Sequence, residues 1–62
     1  SGMLAIGCSS EEAQSIYLKG KDKVFIASIN SPKDITLGGD LEQLNEIMAE
    51  ARKNNVFSVM LK

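Results

Sequence analysis

One thiol and no imidazole set the limits on the chemistry of this chain: Cys8 is its single cysteine, and histidine is absent. Without histidine, a serine or cysteine nucleophile lacks its usual general base and most catalytic zinc arrangements lose a ligand. Cys8 closes the apolar run Met3-Leu4-Ala5-Ile6-Gly7-Cys8 with no base clustered beside it. It therefore reads as a small buried hydrophobe, not as a nucleophile. A lone cysteine forms no internal disulfide and suits a reducing, cytoplasmic setting. Glu11, Glu12, Glu42, Glu46 and Glu50 fall at a helix cap or on the solvent face of a helix. Arg52 and Lys53 fall in a last helical turn, where the dipole stabilises cations without any ligand. Gly38-Gly39-Asp40 could in principle open backbone N–H groups to a phosphate. No Lys-Thr pair or third glycine follows, and the Asp40 carboxylate would itself occupy that helix start and repel an anion. The step reads as a strand-to-helix turn. These residues assemble no active site and call for neither metal nor cofactor in this segment.

The elements that position these residues follow from pattern. Met3 to Cys8 reads as a first strand buried on both faces. Ser9, with Glu12 three residues on, is a capping box, and the helix it opens is expected to run to about Lys19. Ala13, Ile16 and Tyr17 form one narrow apolar stripe on it, and Gly20 supplies the stop. Val24 to Ile29 is β-branched and aromatic without strict alternation, so it reads as a second strand covered on both sides. Asn30-Ser31-Pro32-Lys33-Asp34 holds the single proline and reverses the chain. Ile35-Thr36-Leu37 is then a short third strand, and Gly38-Gly39 frees the backbone before Asp40 caps a second helix. Leu41, Leu44, Ile47, Met48 and Ala51 share one face of that helix, with Glu42, Gln43, Asn45, Glu46, Glu50 and Arg52 opposite. Asn54-Asn55 ends it, and Val56 to Leu61 is the last strand.

The order β-α-β-β-α-β predicts an α+β, ferredoxin-like domain: a four-stranded antiparallel sheet with two helices on one face. The other face should then be bare. A sheet with one wet face alternates apolar and polar residues, and three of these strands do not. Met3, Ala5, Val24, Ile26, Val56 and Met60 cannot all share the covered face with Leu4, Ile6, Phe25, Ile29, Phe57 and Val59. One of these two sets is expected to be uncovered, which suggests contact with another domain or subunit.

Length and composition agree with a single small domain. The 62 residues exclude a two-domain enzyme for this segment, and 44% apolar with 24% charged residues is a globular balance. A net charge of −1 offers no field for phosphate backbones or anionic lipid. No run approaches the roughly 20 apolar residues of a membrane span. Nucleic acid and membrane are therefore not expected partners. An RNA-recognition use of the fold would need exposed aromatics on the first and third strands, which have none. A metal-carrying use would need a second cysteine.

Gly2-Met3-Leu4-Ala5-Ile6-Gly7, Val24 through Pro32, Ile35 through Asp40 and Asn55 through Val59 together resemble one family in nearly the whole chain and in order. The resemblance is to the small subdomain of the malonyl/acyl-CoA:acyl carrier protein transacylases, the acyltransferase domains of polyketide synthases and animal-type fatty acid synthases. Its most specific part is the strand ending in Asn30-Ser31-Pro32 with the short strand and Gly-Asp helix start after it. Gly38 departs from the pattern, since the family more often carries Ser there.

The resemblance implies a ferredoxin-like insert in a larger α/β-hydrolase-like subdomain, with the active site in the cleft between them. The family moves an acyl group from a coenzyme A thioester to a serine, then to the phosphopantetheine arm of an acyl carrier protein. The Gly-His-Ser-x-Gly nucleophile elbow and the catalytic histidine belong to the large subdomain, and neither occurs here. The segment alone is expected to be inert. Asn30, Ser31 and Pro32 are the residues that the resemblance puts at the border of the cleft, although a turn alone also explains them. The rival reading is a free-standing ferredoxin-like regulatory or protein-interaction module that uses the bare sheet face.

Overall fold

The structure is a computed structural model and describes residues 1–61. Its strands are β1 (Gly2–Ile6), β2 (Val24–Ser31), β3 (Asp34–Gly39) and β4 (Ser58–Met60). Helix α1 (Ser10–Glu12) continues into a π-helical turn (Ala13–Tyr17), and α2 spans Leu41–Lys53. The sheet order is β2-β3-β1-β4, and every neighbouring pair is antiparallel. This is the expected α+β ferredoxin-like arrangement.

The caps form where the residue types placed them. Ser9 Oγ accepts the Glu12 N–H at 3.1 Å while Glu12 Oε1 accepts the Ser9 N–H at 2.9 Å. Each satisfies an N–H that the first helical turn leaves without a partner. Asp40 caps α2 by accepting the Gln43 N–H at 3.0 Å, so its carboxylate fills the helix start as the strand-to-helix reading required. Asn55, with φ of 60°, and Gly20, with φ of 79°, take the left-handed geometry that ends each helical segment.

The first helix departs from expectation: it stops at Tyr17, not Lys19, and its second half is π-helical, with the Leu18 N–H donating to Ala13 O at 2.7 Å. That wider turn keeps Ala13 and Tyr17 in the core but leaves Ile16 half exposed. The strands also shift. β1 ends at Ile6, two residues early, because Gly7 and Cys8 already bend toward the helix. β2 and β3 extend toward each other, so Asn30 and Ser31 are strand residues and the reversal narrows to Pro32-Lys33. Pro32 has the fixed φ that suits the first central position of such a turn. β4 shortens to Ser58–Met60, although the Gly7 N–H to Phe57 O and Leu61 N–H to Met3 O bonds carry its pairing with β1 further at both ends.

The core lies between the sheet and the helices. Leu4, Ile6, Ile35 and Leu37 from the two central strands meet Leu44, Ile47 and Ala51 of α2, with Cys8, Ala13 and Tyr17 closing one side. α2 packs across β1, β3 and β4. β2 is therefore an edge strand and not, as its apolar run suggested, covered on both faces: only Val24 and Ile26 are half-buried.

Candidate functional site

The side of the sheet away from the helices is open and largely apolar. Cross-strand pairing puts Met3, Gly38 and Phe25 in one row and Val59, Ala5, Thr36 and Ser28 in the next. Met3 is 40%, Phe25 58% and Val59 39% exposed. The covered side carries Leu4, Leu37, Ile26 and Met60 in one row, and Ile6, Ile35 and Ser58 in another.

Neither of the two sets drawn from the sequence is uncovered as a unit. A register shift between Ile26 and Ser28 inserts Ala27 as an extra residue in β2, which reverses the strand's odd-even phase. Phe25 thus faces the open side while Ile29, four residues on, pairs with core-facing Ile35. Val24, Ile26 and Met60 join Leu4 and Ile6 on the helix side, and Met3 and Ala5 join Phe25 and Val59 on the open side.

Asn30, Ser31 and Pro32 are all exposed at the β2–β3 end of this sheet. Asn30 occupies a second register shift, between Ile29 and Ser31. Its Nδ2 donates to Thr36 Oγ1 at 3.4 Å, and Ser28 Oγ donates to its Oδ1 at 3.4 Å. Ser31 and Pro32 make no side-chain hydrogen bond to this group; Ser31 pairs with Asp34 and Pro32 opens the turn. Thr36 and Ser28 were not among the expected site residues. Their signal was the pairing of a mid-strand threonine with a serine two residues before an asparagine, which is visible only once register is known.

The helix side has shallower chemistry. A cleft of about 270 Å³ is bordered by Cys8, Glu12, Tyr17, Lys33, Asn54 and Val56. Burial, reinforced by nearby Glu12, pushes the Cys8 thiol up, while Lys33 opposes this. A thiol so held is protonated at neutral pH and a poor nucleophile. The Lys33 ammonium lies 3.1 Å from Glu12 Oε1, tying the hairpin turn to the capping box. The Ser9 backbone N–H, then Lys33, hold the Glu12 carboxyl below its ordinary value. Asn54 Nδ2 donates to the Tyr17 hydroxyl at 3.2 Å. Among the described residues no group of three or more metal-ligating side chains occurs, and no helix is long and apolar enough to cross a membrane.

Comparison with known proteins bears on this geometry. No protein-family model matches the chain. It is 36% identical over 61 residues, 98% of its length, to the reducing polyketide synthase rdc5 of Metacordyceps chlamydosporia, covering 3% of that protein. It is 45% identical over 60 residues, 95% of its length, to a Dictyostelium discoideum protein named "Probable polyketide synthase 14", covering 2% of it. Among solved structures, the acyltransferase domain from module 8 of the salinomycin polyketide synthase matches 98% of the chain with a TM-score of 0.90 at 21% identity, and the match covers 14% of that domain's chain. The acyltransferase domain of phenolphthiocerol/phtiocerol synthase A from Mycobacterium bovis matches 98% of it with a TM-score of 0.91 at 20% identity, covering 23%. The chain thus spans a few per cent of the curated relatives, and its fold matches a minor part of the chains of these two solved acyltransferase domains.

Proposed function

We propose that the chain is a small subdomain of a polyketide synthase acyltransferase domain and forms one wall of its acyl-transfer cleft, and that the domain moves malonyl or a related acyl group from coenzyme A to the phosphopantetheine arm of an acyl carrier protein. The sequence match to polyketide synthases over 98% of the chain carries this reading. The chain itself is non-catalytic in this scheme: it has no histidine, and its thiol is buried. Its open sheet face, with Met3, Phe25 and Val59 exposed, is the surface we assign to the large hydrolase-like subdomain, and Asn30, Ser31 and Pro32 border the cleft at the end of that face. Coenzyme A thioester and carrier arm are ligands of the whole domain, which works in the cytoplasm, within a polyketide or a fatty acid synthase.

The test is acyl loading by the complete acyltransferase domain that includes this segment. Incubated with malonyl-CoA and holo acyl carrier protein, the domain should raise the carrier's intact mass by one malonyl group, while the 62-residue chain alone should leave it unchanged. A panel of acyl-CoA donors that all fail to load the carrier would sink the proposal. The surface assignment is read separately by hydrogen exchange. Backbone amides of β2 and β4 should exchange more slowly in the complete domain than in the isolated chain, and equal rates would remove the open face from the interface.

A further inference from the structure

The first helix widens into a π turn over Ala13–Tyr17, where the Leu18 N–H donates to Ala13 O at 2.7 Å. Single π turns are rare and recur at functional sites. Two residues of this one, Ile16 and Tyr17, border the helix-side cleft of about 270 Å³. Tyr17 is 3% exposed, and its hydroxyl accepts Asn54 Nδ2–H at 3.2 Å. A phenol also has one O–H to donate, and among the described residues the Tyr17 O–H has no acceptor. Asn54 is exposed, so water can satisfy the rest of its amide. The phenol is buried, and a buried donor without an acceptor is costly. Both partners of the Tyr17–Asn54 bond border the cleft, and Cys8 and Val56 add apolar wall to it.

The charges beside the cleft cancel. Lys33 Nζ lies 3.1 Å from Glu12 Oε1 and 3.4 Å from Oε2, and Oε1 also accepts the Ser9 N–H at 2.9 Å. A carboxylate ligand would meet Glu12 and an ammonium ligand would meet Lys33, each with its opposite charge already paired, and like-charge contacts are unfavourable. An uncharged ligand meets neither obstacle. At about 30 Å³ for each heavy atom, the cleft has room for fewer than roughly ten of them. We infer that the cleft between the π turn, the β2–β3 turn and the end of α2 is a binding site for a small uncharged carbonyl compound. Its apolar body lies against Cys8, Ile16 and Val56, and its carbonyl oxygen accepts the Tyr17 O–H. The site does not depend on acyl transfer.

The experiment titrates the full chain with three probes that share one ring, cyclohexanone, cyclohexylammonium and cyclohexanecarboxylate, and follows backbone amide chemical shifts by NMR. Cyclohexanone should shift the amides of Cys8, Tyr17, Asn54 and Val56 saturably, with a Kd on the order of 1–10 mM, the range open to so small a ligand. The two charged probes should bind at least about 10-fold more weakly. Tyr17→Phe should weaken cyclohexanone about 5- to 10-fold, the scale of one hydrogen bond. No saturable shift at these amides with cyclohexanone would overturn the site. Equal binding of all three probes would overturn the uncharged class of ligand, and cyclohexanone affinity unchanged in Tyr17→Phe would overturn the carbonyl contact. The probe series is read on the native sequence, so it decides the proposal even where Tyr17→Phe costs too much stability to fold. None of these outcomes bears on acyl transfer, which the loading assay reads separately.

Discussion

Phe25 of β2 sits directly across from Gly38 of β3, and its ring fills the space that a side chain at position 38 would take. A Cβ built on Gly38 would lie 3.0 Å from Phe25 Cζ and 3.2 Å from Cε2. The ring thus covers backbone that glycine would otherwise leave open in mid-sheet, a cross-strand pairing that offsets the low strand propensity of glycine. The glycine at 38 and the aromatic at 25 are two halves of one arrangement.

Gly38→Ser should therefore displace the Phe25 ring and little else, because the clash is with the free end of a side chain. We expect a stability loss of no more than about 1 kcal/mol, and a change in the ring's proton chemical shifts. The double variant Gly38→Ser with Phe25→Ala should show non-additivity, since the serine no longer meets the ring. Additive urea midpoints would refute the pairing.

Gly39 is a harder constraint than its neighbour. Its φ of 135° is reserved for glycine, and an added Cβ would stand 2.1 Å from the Lys23 carbonyl oxygen, which accepts the Asp40 N–H at 2.9 Å. Gly39→Ala must either move β2 away from β3 or lose the bond that ties Asp40, the cap of α2, to Lys23 at the start of β2. We expect at least about 2 kcal/mol of destabilisation, a large share of the stability of a domain this small. A thermal midpoint within a degree or two of wild type would show that the strand end relaxes freely.

How much of this was legible in the sequence depends on how local each signal is. The capping box at Ser9 and Glu12, the Asp40 cap and the Asn55 stop are short-range hydrogen-bonding rules, and all three formed. The strand order followed from the alternation of elements. The sheet faces did not, because the extra residue at Ala27 reverses the phase of β2 without altering its composition. The π turn was equally hidden, since Ala13 and Tyr17 have the same spacing in either helix type. β2 read as covered on both faces because a continuous apolar run does not say which of its sides is packed, and Phe25 and Ile29 are exposed in the fold. Asn30 could be named from sequence, but its tie to Thr36 is a register relationship between two strands.

The pH dependence of stability should centre on Glu12 and Asp22. Glu12 is held low first by the Ser9 backbone N–H and then by Lys33, and Asp22 first by the side-chain amide of Gln43. A carboxylate whose folded-state pKa is depressed contributes stability above its unfolded value, roughly 4 for these types, and that contribution disappears as pH falls through the folded value. The chain should hold its thermal midpoint from pH 7 to about 5 and lose it progressively below about 4. Glu12→Gln can still accept the Ser9 N–H but cannot titrate or pair with Lys33. It should start lower at pH 7 and decline less on acidification. Parallel curves for the two proteins would mean that Glu12 carries none of the acid sensitivity.

Ser58 offers the opposite kind of change. It lies on the covered side of β4 across from Ile6, is 5% exposed, and its Oγ has no hydrogen-bond partner among the described residues. Its carbonyl is occupied, accepting from Arg52 Nη2 at 3.2 Å, so the backbone gains from the position while the hydroxyl does not. A buried hydroxyl without a partner gives up its water bonds for nothing, at roughly 1–3 kcal/mol. Ser58→Ala removes that cost and leaves only a small void. We expect it to raise stability by up to about 1 kcal/mol, read as a higher urea midpoint with an unchanged slope. If the variant is instead destabilised, the hydroxyl has a partner in solution, and a buried water between β4 and α2 becomes the first place to look.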